Sequence, residues 1–354
     1  MADLGTLVSN SMRDGYFAMI AQNPLAQLGP PERKLLGAEL LPEKLVEQNA
    51  YREEAIRFRS IIANAGSRYS TAQKKDGDLF AMFLVELGSS DIAREMTGRQ
   101  YDALIRLLGR SEDMSALASM GNWADVVLNR ALTEYNEKQR WEAIVNASVV
   151  RVGDNNYSET VNYANPAGHR VNAGGAWSSD TYDPFNDIIL GRDFLRGKGY
   201  NVNRIITSTP VRSIALRNAN VKKAVYNNSL AAGMTSPAML KEYLGQQDLP
   251  GFETYDLQYR TQTGTGYFIP RNVLIMVATT GENPALDVGD NERFLSNVLG
   301  YTAVGRAAGQ ANPGRAIFIE PQMDKPPRIE GVAWQESLPV ITEPESMYIV
   351  GGIS

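Results

Sequence analysis

The sequence predicts an α+β protein: a compact body of helices and strands from which an N-terminal arm, an extended hairpin and one long helix stand out. Three observations predict it. A helix–strand–helix succession occupies 183–218 and is followed by strand-rich sequence to the end of the chain. Residues 122–152 contain neither Gly nor Pro. Two strand-like stretches, 57–63 and 79–87, are separated by the polar segment 67–78, an excursion too long for an ordinary hairpin loop.

In 1–55, Pro24, Pro30, Pro31 and Pro42 interrupt short apolar pieces, so an arm laid over another protein surface is expected. Its five basic residues face eight acids, which excludes a basic tail of the DNA-binding kind. Within 67–78, Asp76-Gly77 suits the positive φ angles of a tight turn, and the apolar side of the hairpin is expected to meet another chain. Beyond Gly121, Asn122 with Asp125 reads as a capped helix start. Ala124, Val127, Leu128, Ala131, Leu132 and Tyr135 share one face, which Trp141, Ile144, Val145 and Val149 resume past the polar pair Glu137-Lys138. About 25 residues of helix make a rod of roughly 37 Å. Asp183-Pro184 caps a helix over 185–195 that stops at Gly197 and Gly199. A strand over 204–208 follows, and Thr209-Pro210 then opens a second helix carrying Val211, Ile214 and Leu216. Further strands are expected at 255–259, 273–278, 316–320, 329–334 and 347–350, with a small-residue loop at 305–314.

With 354 residues, 43% hydrophobic and 21% charged, the chain can bury a large core in two or three domains. Lys and Arg number 35 against 40 Asp and Glu, and a net charge of −5 excludes a strongly basic nucleic-acid binder. The absence of Cys excludes disulfides, thiolate metal sites and a Cys nucleophile, and a single His excludes a multi-His metal centre. Residues 1–20 lack the pattern of a signal peptide and no apolar stretch approaches 20 residues, so an aqueous compartment without membrane contact is expected.

Candidate chemistry reduces to structural roles. His169 has no triad spacing around it, and a surface or packing role is expected. The segment 263–266, Thr-Gly-Thr-Gly, lacks both the Lys-Ser/Thr ending of a phosphate loop and a third Gly, and reads as a turn. Asp183 is a cap, Asp187 favours the positive end of its helix, and Asp193 is a solvated helix residue. No catalytic set and no cofactor site emerges, so no enzyme activity is expected.

Several short pieces, in order, carry a resemblance: 62–68 leading into the hairpin, 140–144 late in the long helix, 162–164 after it, 183–188, 205–210, and the closing 338–340 and 348–350. Over about 61–353 the chain resembles the major capsid proteins of tailed bacteriophages, of the lambda gpE type with the Hong Kong 97 fold. The resemblance implies an N-terminal arm (1–55), an extended loop (56–110), a peripheral domain with a spine helix (111–182, with 336–354 returning to it) and an axial domain (183–335). It implies hexamers and pentamers of an icosahedral head around double-stranded DNA, with a portal protein, a cementing protein and a separate scaffolding protein as partners. Assembly in the host cytoplasm follows from the same likeness. Inter-subunit contacts are expected at Arg68, Lys74, Lys75, Asp76, Gly77 and Asp78. An encapsulin-like cargo shell shares the fold and is the alternative, and an α/β enzyme is a more distant one.

Overall fold

The computed structural model describes residues 4–21, 34–47, 50–58, 78–110, 112–152, 158–227, 235–261, 264–279, 299–322 and 326–354, with the backbone alone at 50–58 and 78–86. Two sheets and one long helix organise the body. The first sheet is built on Arg328–Ile341, whose buried and half-buried positions alternate as far as Ser337, the pattern of a strand with one face on the core. It pairs antiparallel with Gly88–Met96, Gly300–Val304 and Ala316–Gln322, and Glu43–Leu45 of the arm adds parallel to Gly300–Val304.

The second sheet runs in the order Arg170–Asn172, Met347–Gly351, Leu274–Val277, Arg204–Thr207, Phe252–Thr254. Its two faces sort by the period of two that a strand imposes. Leu274, Met276, Ile205, Tyr348 and Val350 pack with Trp177, Phe185, Ile188 and Leu195 under the helices. Ile275, Val277, Ile206, Met347 and Ile349 pack with Leu36, Leu40, Trp141 and Ile144 on the other side. Burial on both faces accounts for the unbroken apolar run at 274–277. Helices Pro184–Gly197, Thr209–Arg217, Ala219–Tyr226 and Pro237–Gln246 flank this sheet.

The long helix extends further toward the N-terminus than the Gly and Pro pattern predicts. It runs without a break from Asp113 through Trp123, passes a π-turn at Ala124–Asn129 and continues over Arg130–Asn146, roughly 51 Å in all at 1.5 Å per residue. Gly121 lies inside it rather than before it, packed so closely against Tyr16 and Ile20 that a Cβ would collide. The end also falls earlier than 152: Ala147 takes a left-handed conformation at φ 52°, and Ser148–Val152 leaves as a strand paired with Ser158–Asn162. The first half of the helix joins one core with Leu4, Val8, Phe17, Ile317 and Ile329. Its end joins the second core through Trp141 and Ile144.

Other elements sharpen or correct the sequence reading. The arm begins as two helices, Leu4–Arg13 and Tyr16–Ala21, joined at Gly15 with φ 74°. Ala50–Phe58 and Asp78–Glu86 form a nine-pair antiparallel ladder that is a sheet of its own, starting earlier than the strand expected at 57–63; residues 59–77 lie outside the described residues. Asp183 caps its helix as predicted, accepting from the Phe185 N–H, but the next cap is Ser208 rather than Thr209. The strand expected at 255–259 divides into Phe252–Thr254 and Gln258–Arg260, with Tyr255 turned into the core between them. Gln258–Arg260 pairs with Thr265–Tyr267, so Gly264 and Gly266 belong to a short hairpin.

Candidate functional site

Between the two cores the long helix buries polar side chains. From Thr133 to Arg140 the inward positions are Thr133, Asn136, Glu137, Gln139 and Arg140, all within 2% of complete burial. The polar pair at 137–138 is therefore not a break in the buried face but its central feature, with Glu137 inward and only Lys138 partly open. Helical spacing places 133, 136, 137 and 140 on one stripe, and partners come from five other parts of the chain.

Glu137 is fully buried, and its Oε1 accepts from the Gly37 N–H at 2.8 Å, Trp141 Nε1 at 2.7 Å and the Tyr255 hydroxyl at 2.7 Å. Arg140 donates through Nε to Thr302 Oγ1 at 2.8 Å and reaches Glu137 at 3.5 Å and Glu43 at 3.3 Å. Glu43, on the arm strand, has an Oε1 shared by Arg315 at 2.6 Å, Asn136 at 2.9 Å and Arg140. Arg315 turns its other terminal nitrogen to Thr133 Oγ1 at 2.7 Å and to Asn129. Asn136 Oδ1 accepts from Gln335 Nε2 at 2.6 Å and Ser337 Oγ at 2.9 Å on the long strand. Two carboxylates and two guanidinium groups thus balance in a buried junction of arm, helix and one face of the first sheet. Burial pushes the Glu43 carboxyl up, but the Arg315 and Arg140 charges and the hydrogen bonds from Asn136 and Arg315 outweigh it and hold the group below its ordinary range. Desolvation offsets most of the Coulomb gain in such a cluster, whereas removing one partner costs about 3–5 kcal/mol because the others stay buried. What the junction enforces is register.

A smaller joint anchors the base of the hairpin. Arg151, 2% exposed, donates to the Ser337 carbonyl at 2.8 Å and to Glu159 at 3.2 Å, and lies where a Cβ on Gly88 would be.

The residues singled out in the sequence fall elsewhere. Arg68, Lys74, Lys75, Asp76 and Gly77 lie outside the described residues, and Asp78 opens a hairpin strand opposite Phe58. His169 is 1% exposed and packs edge-on against Phe194. Its Nδ1 donates to the Met347 carbonyl and its Nε2 accepts from Lys198, each at 2.7 Å, a tautomer assigned from these partners. Asp187 accepts from the Gly174 N–H, Trp177 Nε1 and the Tyr182 hydroxyl, pinning the 174–182 loop to its helix. Asp193 is exposed beside Arg192. Among the described residues no group of acids and His is placed to hold a metal, and no helix is long and apolar enough to cross a membrane. Sequence reasoning missed Glu43, Arg140 and Arg315; the available signal was Glu137, an acid in the gap between the apolar positions up to Tyr135 and those resumed at Trp141.

A family model described as phage major capsid protein E matches residues 101–289, more than half of the chain. The structure is similar to one described as a prophage capsid protein of Escherichia coli CFT073, at 15% identity and a TM-score of 0.59, covering 96% of this chain and 98% of that one. It is also similar to a phage-related protein from Bordetella bronchiseptica RB50, at 15% identity and a TM-score of 0.51, with 94% and 96% covered. No curated protein matches by sequence. The α+β architecture is that of Hong Kong 97-type capsid proteins. A chain matched by that family model over more than half its length, from the long helix through the strands Arg170–Asn172, Arg204–Thr207, Phe252–Thr254 and Leu274–Val277 of the second sheet, belongs to the phage major capsid protein E family and is a shell-forming structural protein.

Proposed function

We propose that the protein assembles as hexamers and pentamers of a closed icosahedral head enclosing double-stranded DNA, with its hairpin lying across a neighbouring subunit. The observation that carries this reading is the nine-pair ladder of Ala50–Phe58 with Asp78–Glu86, which joins neither of the large sheets. A lone two-stranded hairpin is marginal in water, and this one, about 30 Å long, gains a covering face from a second copy. Closed symmetry limits such head-to-tail contacts to a finite shell.

On this reading 1–55 is the arm, 56–110 the extended loop, 111–182 with 336–354 the peripheral domain and 183–335 the axial domain. Arg68, Lys74, Lys75, Asp76, Gly77 and Asp78 supply inter-subunit contacts. A scaffolding protein, a portal protein and a cementing protein are the further partners, assembly takes place in the host cytoplasm, and the chain has no enzymatic role and needs no cofactor.

Replacing 67–78 by a short Gly-Ser linker tests the reading. The variant should keep the circular dichroism and melting of the parent subunit while sedimentation and negative-stain microscopy show no shells. Normal shells from this variant would refute the placement of the loop. Nuclease-protected DNA inside purified particles is expected; particles that instead hold a protein cargo and no DNA would favour the encapsulin-like reading.

A further inference from the structure

We propose that residues 124–129 are a two-state register element of the long helix, held in its π form by the chain Glu43–Arg315–Asn129, so that docking of the strap 34–47 and the register of the helix are one coupled equilibrium. The Arg130 N–H donates to the Asp125 carbonyl, five residues back instead of four. A π-turn accommodates one extra residue, and returning it to α geometry would rotate one side of the helix relative to the other by about 100° and shift it by about 1.5 Å. Both sides are packed in fixed phase. Before and within the turn, Trp123 and Leu128 press on Gly331, where a Cβ would stand 2.6 Å from the indole. After it, Glu137, Trp141 and Ile144 are locked against the strap and the second core.

Asn129, the last residue of the turn, is clamped through its side chain and its carbonyl. Its Nδ2 donates to Asp125 Oδ1 at 3.0 Å and to the Ile20 carbonyl at 3.3 Å. Its own carbonyl accepts from Thr133 Oγ1 at 3.0 Å and Arg315 Nη1 at 3.4 Å, and its Oδ1 accepts from that same Arg315 nitrogen. The other Arg315 nitrogen is bound to Glu43, so the guanidinium holds the turn with one hand and the strap with the other. Beyond Glu43 the strap is held by a three-residue pairing with Gly300–Val304, by the Gly37 bond to Glu137 and by Leu36, Leu40 and Leu41. Loss of Glu43 leaves the Arg315 charge buried without its counter-ion, which withdraws the clamp from the turn. Undocking the strap therefore releases the helix register, and a register change expels the strap.

Amide exchange of the full chain as unassembled subunit, read by mass spectrometry, tests the coupling. Glu43→Gln should speed exchange about tenfold in both 34–47 and 124–134 while 204–207 and 274–277 keep their protection. Arg315→Lys keeps a cation for Glu43 but lacks the second nitrogen for Asn129, and should loosen the same two segments, which keeps the test decisive where Glu43→Gln does not fold. Deleting Val126, a residue 45% exposed, removes the extra residue. In that background Glu43→Gln should loosen 34–47 alone. The proposal is overturned if Glu43→Gln in the full chain loosens only the strap, if it loosens all segments equally, or if the Val126 deletion leaves the coupling intact.

Discussion

The Glu137 carboxylate accepts the Gly37 N–H at 2.8 Å from one hundred positions along the chain, and its oxygens occupy the space a Cβ on residue 37 would need. A glycine in a helix normally costs stability relative to alanine, by about 0.5–1 kcal/mol. Here the sign reverses. An added methyl would stand 2.7 Å from Oε2 and 2.9 Å from Oε1, and the carboxylate could yield only by giving up Trp141 or Tyr255. Gly37→Ala should therefore destabilise the subunit by about 2–4 kcal/mol, read as a lowered urea midpoint at unchanged slope. A midpoint equal to or above that of the parent would show that the junction is not packed as described.

Acid should act on the protein in two windows. Burial pushes the His169 imidazole below its ordinary pKa, the Lys198 and Arg170 charges adding to this against the Met347 carbonyl and Glu345. The unfolded chain then takes up a proton before the folded one, so this stabilisation is complete above pH about 6.5 and is lost as pH falls below it. Glu43, held low by Arg315 and Arg140 despite its burial, contributes stability that is present above about pH 4.3 and lost as pH falls through its lower folded value. Urea midpoints from pH 8 to 3 should fall in both windows, and His169→Gln should flatten the upper one alone. An unchanged upper slope in that variant would contradict a neutral, buried His169.

Ala131→Pro strikes just past the π-turn, where the helix runs continuously to Asn146. The ring removes one backbone hydrogen bond and collides with the preceding turn, at a cost of about 3 kcal/mol or more. Insoluble protein is the expected result, scored by the soluble fraction after expression. Soluble, assembling Ala131→Pro protein would mean the helix tolerates a break at the point where it joins the two cores.

The assembled shell should be held without covalent links. Lys74 and Lys75 stand beside Asp76 in a polar stretch of sequence, where lysines discourage wrong strand pairing and keep the free subunit soluble. Mature particles boiled in detergent should run as one band near 38.9 kDa, and a ladder of higher bands would show cross-linking.

Elements governed by close neighbours in the chain are legible in the amino-acid sequence. Asp183-Pro184 announces its helix because a cap and its N–H partner are two residues apart, and the apolar run at 273–278 announces a buried strand. The 3.6-residue period marks the long helix, although its start at Asp113 is hidden by Gly121, a residue required for close packing against Tyr16 rather than for ending a helix. The junction is not legible in this way. Whether a carboxylate is buried depends on a counter-charge being delivered to it, and Arg315 reaches Glu43 across 272 positions while Glu43 meets Arg140 across 97. Local pattern carries no information about such distances, so Glu137 stands out in the sequence only as an acid between two apolar stretches of the helix. Tertiary structure decides which charges are neutralised, because only the meeting of arm, helix and sheet brings balanced charges together where water is excluded.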